Sequence, residues 1–414
     1  MILQSTTHNK RKIINDPVHG FITIPDELIF DLIEHPYFQR LRRIKQLGLS
    51  HLVYPGANHT RFHHALGAMH LMLKAIEVLR SKNVQITEEE RLGAAIAILL
   101  HDMGHGPFSH TLEHSLLNNV QHEQLSLLFM QRLNQEFGGK LDLAISIFTN
   151  TYPKLFLHQL VSGQLDMDRL DYLQRDSYFT GVSEGVVGSD RIIAMLDVDH
   201  NNIVIEEKGI YSIENFIGAR RIMYWQVYMH KTVVSSEFML TSILRRAKYL
   251  YSTGMDLFAS PSLKIFLKEN ITFSQFEENP AYLAHFALID DSDISSAIKV
   301  WQSSGDKILE KLSKDIASRH LFKTTISNVP FKVEVVEEAI KKIQTSLGIT
   351  KEETSYFLKS EKLINNAYNE NYKQINIKLR SGEILDLALA SDNDNIIALS
   401  TPVEKFYLCQ TKII

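Results

Sequence analysis

The sequence predicts a mainly α protein, a helical core carrying one short β-hairpin and ending in a small C-terminal α/β domain. Three observations predict it. Nineteen glycines and ten prolines among 414 residues fall well short of the usual combined share of about 12%. Apolar residues recur at helical spacing through most of the first 330 positions. From about residue 331 the pattern changes to alternation.

The elements follow in order. Residues 26–35 and 36–48 read as short helices, with Asp26 and Pro36 as start signals. Phe62, Leu66, Met69, Leu73 and Ile76 mark a helix over Arg61–Arg80. Glu88–Leu100 follows, with Thr87 and Glu90 placed as a capping box. Residues 122–137, 141–149 and 164–176 are helical, then Gly181, Gly185 and Gly188 punctuate a loop. Ile203–Tyr211 alternates around Lys208-Gly209 and reads as a hairpin. Residues 213–252 are strongly helical and 268–330 mostly so. The acidic run Asp290-Asp291-Ser292-Asp293 precedes a helical pattern, and caps that helix rather than binding a cation. Strands are expected at 331–335, 375–379, 384–389 and 405–409. Two domains result, 1–330 and 331–414.

Composition excludes several function classes. The net charge of −4 lacks the basic face that non-specific nucleic-acid binding needs, so nucleic acid is not an expected partner. The single cysteine, Cys409, allows no intrachain disulfide and fits a reducing cytoplasm. The apolar run Leu92–Leu100 is far short of the roughly 20 residues that span a bilayer. The N-terminus lacks the basic and apolar regions of a signal peptide. No membrane association is expected.

Histidine carries the pointer to chemistry. Ten of the eighteen histidines lie between His51 and His122, and histidine is the commonest metal ligand and proton shuttle near neutral pH. His101-Asp102 ends a helix apolar enough to be core, where a carboxylate is costly unless paired or metal-bound. Met-Gly-His-Gly-Pro-Phe-Ser-His follows; its glycines and proline turn His105 and His110 around one corner. Arg61 and His64, three apart, share a helix face. Downstream, Leu165-Asp-Met-Asp-Arg-Leu-Asp-Tyr places Asp168 and Tyr172 on one helical stripe, with Arg169, Tyr172 and Asp176 on a neighbouring one.

This order of His, His-Asp and Asp resembles the HD-domain metal-dependent phosphohydrolases. Ile14-Asn-Asp-Pro-Val-His-Gly, Phe38-Gln-Arg-Leu-Arg, Lys45-Gln-Leu-Gly and Tyr54-Pro-Gly-Ala are similar to the deoxynucleoside triphosphate (dNTP) triphosphohydrolases within that family, including the SAM-and-HD-domain type. The resemblance is strong over residues 10–235 and general elsewhere, with the HD motif region at about 50–180. It implies His64, His101, Asp102 and Asp168 as metal ligands. His64 rather than its neighbour His63 is taken, because it lies three after Arg61. Two imidazoles and two carboxylates suit one divalent ion: Mn, Mg, Fe, Ni, Co or Zn.

The implied reaction is attack of a metal-activated water at the α-phosphorus, releasing deoxynucleoside and inorganic triphosphate. His110 would protonate the 5′ oxygen, with Glu113 holding its ring. His105 would contact phosphate, and His122-Glu123 forms a second acid/base dyad. Substrate would be held by Arg61, Arg169 and the stripe Arg220, Tyr224, Tyr228 and Lys231. Gln46, Leu47, Tyr172 and Asp176 match sugar-binding positions. Lys12, Glu34, Gln39 and Arg42 match part of a regulatory site for GTP or dGTP, and the relatives' assembly implies a homo-oligomer, dimer or tetramer. Two other readings stand beside this one. One is an HD phosphohydrolase for another nucleotide or phosphoester, although the Gly-Tyr-Pro signature of the cyclic-dinucleotide enzymes is absent. The other is a catalytically weak nucleotide-sensing or nucleic-acid-binding module.

Overall fold

The computed structural model describes residues 12–108, 115–117, 120–365, 374–393, 396 and 402–413. His110 and Glu113 lie outside the described residues.

Three helices form the frame: Glu88–Leu100 and Met167–Thr180 both pack on Arg61–Ser81. The first is apolar nearly all round, as a helix buried on several sides must be. Its start is set by Thr60 and His63, whose Nδ1 accepts from the Thr60 backbone N–H at 3.2 Å. His63 is thereby a capping residue. The second begins with the expected reciprocal cap: Glu90 N–H donates to Thr87 Oγ1 at 3.2 Å, and Thr87 N–H to Glu90 Oε2 at 2.8 Å. The third starts at Asp166, which accepts from Arg169 N–H at 2.7 Å. It stops at Gly181, whose φ of 75° is left-handed.

Nine strands form three small sheets among the described residues. β1 (Ile13–Asp16) and β2 (Gly20–Thr23) make an N-terminal hairpin that the sequence pattern did not announce. β3 (Leu196–Asp199) and β4 (Asn202–Glu206) turn at His200-Asn201. The expected hairpin is therefore misplaced by one strand. Residues 203–206 are its second arm, and Lys208-Gly209 is a helical turn leading into the Ile210–Met223 helix. Two residues at positive φ, His200 and Asn201, set the turn where no glycine marks it.

The C-terminal segment crosses back into the core. β5 (Lys323–Ser327), β6 (Leu358–Asn365) and β9 (Val403–Gln410) form one sheet in the order β5-β9-β6. β7 (Asn376–Lys378) and β8 (Ile384–Asp386) extend the β3-β4 hairpin, with β7 parallel to β4. Both sheets thus cross the boundary expected at residue 330. The alternation at 331–335 opens a helix, Val333–Leu347, not a strand. Five residues fit either period, and the helical apolar stripe continues through Ala339 and Ile343.

The acidic run caps the Asp291–Trp301 helix as expected, Asp290 accepting from Ser292 N–H at 2.8 Å. Asp291 does more. Its buried carboxylate accepts from Lys45 N–H at 3.0 Å and Phe108 N–H at 3.1 Å, tying two loops to this helix. Burial, against those two bonds, pushes its pKa up to about 6. The folded value lies above the unfolded one of about 3.9, so the stability that its protonation contributes is complete below pH 4 and lost as pH rises through 6. Asp291→Asn should flatten the stability profile between pH 4 and 6 relative to the parent. It should also cost about 1–3 kcal/mol, because one amide oxygen cannot answer both N–H groups as well as two carboxylate oxygens. Urea melts across that range test it; parallel profiles would refute it.

Candidate metal centre and its substrate wall

The loop after Leu100 is clamped from two sides. Buried Arg40 donates Nη1 to the Met103 carbonyl at 2.8 Å and Nη2 to the His105 carbonyl at 2.9 Å. Burial and the charge of Arg43 push its pKa down to about 9. Ser126 Oγ donates to the His101 carbonyl at 2.5 Å and accepts from Gly104 N–H at 2.8 Å. Gly104 has to be glycine, since a Cβ there would lie 1.9 Å from the His122 carbonyl oxygen. The clamp seats this corner against the His122–Glu136 helix.

His64, His101 and Asp168 bring ligand atoms within 4.8 Å of one another, and Asp102 flanks them while also facing the second group described below. His64 Nε2 lies 3.0 Å from Asp168 Oδ1 and 3.8 Å from Asp102 Oδ2. His101 Nε2 lies 3.3 Å from Asp102 Oδ1 and 3.4 Å from Asp168 Oδ1. Both Nε2 atoms are buried and neither has a hydrogen-bond partner, although buried polar atoms are nearly always satisfied. Donors this close, turned to a common point, fit a metal ion with ligand bonds of about 2.0–2.2 Å. The other ring nitrogens are occupied in ways that aim Nε2 inward. His101 Nδ1 bonds the Ile98 carbonyl at 2.6 Å, and His64 Nδ1 bonds Asp171 Oδ2 at 2.8 Å.

Electrostatics agree with that fit. Burial opposes protonation of the His64 ring, yet Asp168 and Asp171 together push its pKa up to about 10. Burial also opposes ionisation of Asp168, but the His101 and His64 rings beside it hold it below the usual carboxylate range. Asp102 is held well below that range too, the charges of His101 and Arg61 outweighing burial. The site calls for positive charge, which a divalent ion supplies.

A second group adjoins the first. Asp102 Oδ1 lies 3.4 Å from His105 Nε2, and the His105 and His122 rings stack at 3.7 Å and 18°. These residues come close enough to hold an ion. Stacked rings, however, aim their lone pairs in parallel, and an ion about 2.1 Å from both would sit out of both ring planes. The pair suits proton handling or phosphate contact better. Burial and the Arg61 charge hold the His105 ring well below the ordinary histidine range, so it is neutral. Exposed Glu123 lies 3.4 Å from His122 Nε2.

The expected substrate residues are brought together unevenly. Arg61 is buried and its Nη1 pairs with Asp102 Oδ2. Tyr172 packs edge-on to both His64, at 6.5 Å, and Tyr228, at 6.1 Å. Tyr228 donates to Asp176 Oδ2 at 2.9 Å, while Asp176 Oδ1 lies 2.7 Å from His59 Nε2. Gln46 N–H bonds the His59 carbonyl at 3.0 Å, its Oε1 is buried without a partner, and Leu47 packs on the core beside it. Arg220 donates to Gln164 at 2.8 Å and has no carboxylate within ion-pair distance among the described residues. Arg169 is turned back onto Asp166 and the Gly163 carbonyl, so its charge is largely answered.

The expected stripe is interrupted. The Ile210–Met223 helix widens into a π-turn at Tyr224–Tyr228 and restarts at Lys231. Tyr224 consequently bonds the Ile364 carbonyl of β6 at 2.9 Å, and Lys231 is exposed. Of the regulatory set, Gln39 Oε1 accepts from Arg42 at 2.8 Å, and Lys12 lies 4.3 Å over the Phe30 ring on the helix that ends with exposed Glu34.

Sequence reasoning missed the support beneath His64. Asp171 also accepts from Arg175 at 2.9 Å through each oxygen and lies 2.6 Å from His19 Nε2, and Arg175 continues to Asp16 at 2.8 Å. The available signal was the i,i+4 spacing of Asp171 and Arg175 on an otherwise apolar face.

The helices that carry the four candidate ligands coincide with a family model. The model for the HD domain matches residues 61–176, and that for the HD associated region matches 187–255. The chain is 36% identical over 322 residues to the uncharacterized protein YwfO of Bacillus subtilis, covering 76% of this chain and 72% of that one. It belongs to the HD-domain phosphohydrolase family. A crystal structure of a phosphohydrolase from Bacteroides thetaiotaomicron superposes with a TM-score of 0.94 at 53% identity, over 97% of this chain and 100% of that one. The deoxynucleoside triphosphate triphosphohydrolase SAMHD1 homolog of Dictyostelium discoideum is 33% identical over 261 residues, 58% of this chain and 50% of that protein. The hydrolase thus resembles the SAMHD1 catalytic core while spanning half of that relative's length.

Two outcomes follow for the hydrolase. Asp171→Asn should lower its metal affinity 10–100-fold by releasing the His64 ring and destabilise it by about 3–5 kcal/mol by removing one of the two carboxylates that answer buried Arg175; metal content by mass spectrometry and a thermal melt check both. Gly67→Ala should act on the same network, because its Cβ would fall 1.9 Å from Asp171 Oδ1. A cost of about 1–3 kcal/mol is expected, and an unchanged melting temperature would contradict it.

Proposed function

We propose that the hydrolase converts dNTPs to deoxynucleoside and inorganic triphosphate at the His64–His101–Asp102–Asp168 cluster. The observation that carries this reading is Arg220. It is a half-buried guanidinium with no carboxylate partner among the described residues, close enough to Tyr172 and Tyr228 to feel their charge, and those rings form a wall that abuts His64. A cation left unanswered next to a metal centre suits a polyphosphate. An aromatic wall beside it suits a sugar face without a 2′-hydroxyl. Likeness to the SAMHD1 proteins supports the same substrate class.

One divalent ion held by the four ligands would supply Lewis-acid activation of water and phosphate. The residues of the chain would do the rest. Asp171 keeps His64 Nε2 turned inward, and Arg61 holds Asp102. Water attacks the α-phosphorus; the Pα–O5′ bond breaks, the water oxygen stays on the triphosphate, and the 5′ oxygen takes a proton. His110, held by Glu113, is the donor assigned from sequence, and neutral His105 contacts phosphate beside His122. Tyr228, locked to Asp176, packs on the deoxyribose, and Gln46 Oε1 accepts from the 3′-hydroxyl. Lys12, Glu34, Gln39 and Arg42 would take a guanine nucleotide between copies of the chain.

Ion-exchange chromatography of products from each dNTP and NTP, with Mn or Mg and with or without GTP, tests the reading. Inorganic triphosphate plus deoxynucleoside is expected; phosphate or pyrophosphate would move scission to another phosphorus. Asp102→Ala should lose turnover and bound metal together, and full turnover with metal retained would remove the assignment. Tyr228→Ala should relax the preference for deoxyribose, and an unchanged dNTP-to-NTP ratio in kcat/KM would count against the sugar wall.

A further inference from the structure

Behind the candidate sugar wall lies a histidine with no task in the reaction described so far. His59 precedes the Arg61–Ser81 helix, and its side chain is shut off from water. The ring stacks on Phe179 at 4.6 Å and 19°. Nε2 lies 2.7 Å from Asp176 Oδ1. A carboxylate oxygen accepts and does not donate, so Nε2 carries the proton of that bond. Nδ1 is buried without a partner among the described residues. The bond to Asp176 is therefore what orients the ring, and the ring in return orients Asp176.

Stability alone does not account for the pair. Replacing a buried ionic pair by apolar residues of similar volume is often neutral or stabilising, and Phe179 already offers an apolar neighbour. What the pair fixes is the other side of the carboxylate. Asp176 Oδ2 accepts from the Tyr228 hydroxyl at 2.9 Å. With one donor on each oxygen the carboxylate cannot turn, and each oxygen keeps a lone pair for a further donor. Tyr228 stands edge-on to Tyr172, and Tyr172 to His64. A line of contacts thus leaves the chain at His59, passes through Asp176, Tyr228 and Tyr172, and returns at His64. His59 and His64 are five residues apart, and so are their partners Asp176 and Asp171. The same two segments are pinned twice, once beneath the metal centre and once behind the sugar wall. Gln46 hangs from the same point, its backbone N–H on the His59 carbonyl at 3.0 Å.

We propose that His59 is a positioning residue that holds the Asp176–Tyr228 wall at a fixed distance from the metal centre, and through it sets the preference for deoxyribose over ribose. The inference rests on the proposed reading of the cluster as a nucleotide site, but not on which phosphorus is attacked. A ring packed on the sugar rejects a 2′-hydroxyl only if it cannot give way. Tyr228 cannot while Asp176 holds its hydroxyl, and Asp176 cannot while His59 holds the opposite oxygen.

Full-chain variants loaded with Mn test it through the ratio of kcat/KM for a dNTP to that for the matching NTP. His59→Phe keeps the stack on Phe179 and removes the donor. It should narrow the ratio about tenfold with metal content unchanged. His59→Gln, whose amide nitrogen can reach the same carboxylate oxygen, should restore most of the preference. Tyr228→Phe should narrow the ratio to a similar degree and the double variant no further, because both act through Asp176. If His59→Phe does not fold, His59→Asn replaces it, its amide being too short to reach Asp176. An unmoved ratio, a His59→Gln no better than His59→Phe, or independent losses that multiply in the double variant would overturn the proposal. A parent chain that cleaves no nucleotide would overturn the proposed function and this inference together. A parent that releases triphosphate from dNTPs with a ratio that His59→Phe leaves unchanged would overturn this inference alone.

Discussion

The structure depends on one buried carboxylate. Asp171 lies at the crossing of the Arg61–Ser81 and Met167–Thr180 helices, with no access to water. A charge in that place costs several kcal/mol unless every lone pair is used. Arg175, His19 and His64 use them, and Arg175 carries the network on to Asp16 in β1. The N-terminal hairpin, the two central helices and His64 of the candidate metal centre are therefore held by one ionic knot. Gly67 exists to make room for it.

The ligands need more than convergence. His101, Asp102 and His105 follow the end of a helix, where backbone N–H and carbonyl groups lose their regular partners. Arg40 and Ser126 take over those carbonyls, and Gly104 lets the corner touch the His122–Glu136 helix. This explains a fully buried arginine in a helical turn that the sequence marks only as basic. Its neighbours Arg42 and Arg43 stay exposed, and Lys45 is half-buried.

Charge is distributed unequally over the candidate substrate wall. Arg61 and Arg169 are answered by Asp102 and Asp166, while Arg220 has no carboxylate partner among the described residues. The resemblance assigns all three to the substrate alike. The π-turn at Tyr224–Tyr228 divides the expected stripe, sending Tyr224 to β6 and Tyr228 to Asp176. A widened turn of this kind is common at functional positions in helices, and it re-aims side chains that an ideal helix would align.

The sequence by itself determined the long elements and the chemistry at their ends. Apolar period and caps set the helices at 61–81, 88–100, 122–136 and 167–180 within one to four residues. Both are local signals, and helices report them over many turns. His64, His101, Asp102 and Asp168 were singled out by resemblance to the family motif; His64 and Asp168 lie on readable helices, and His101-Asp102 lies just past the end of one. Tertiary structure decided what depends on long-range pairing. The β1-β2 hairpin, the true position of the β3-β4 turn and the return of β7 to β4 rest on partners that short strands do not encode. The support of His64 by Asp171 spans 107 residues, and the lack of a carboxylate partner for Arg220 among the described residues is a property of its surroundings. A residue's type states what it can bind; only packing settles which of its partners is left for a ligand.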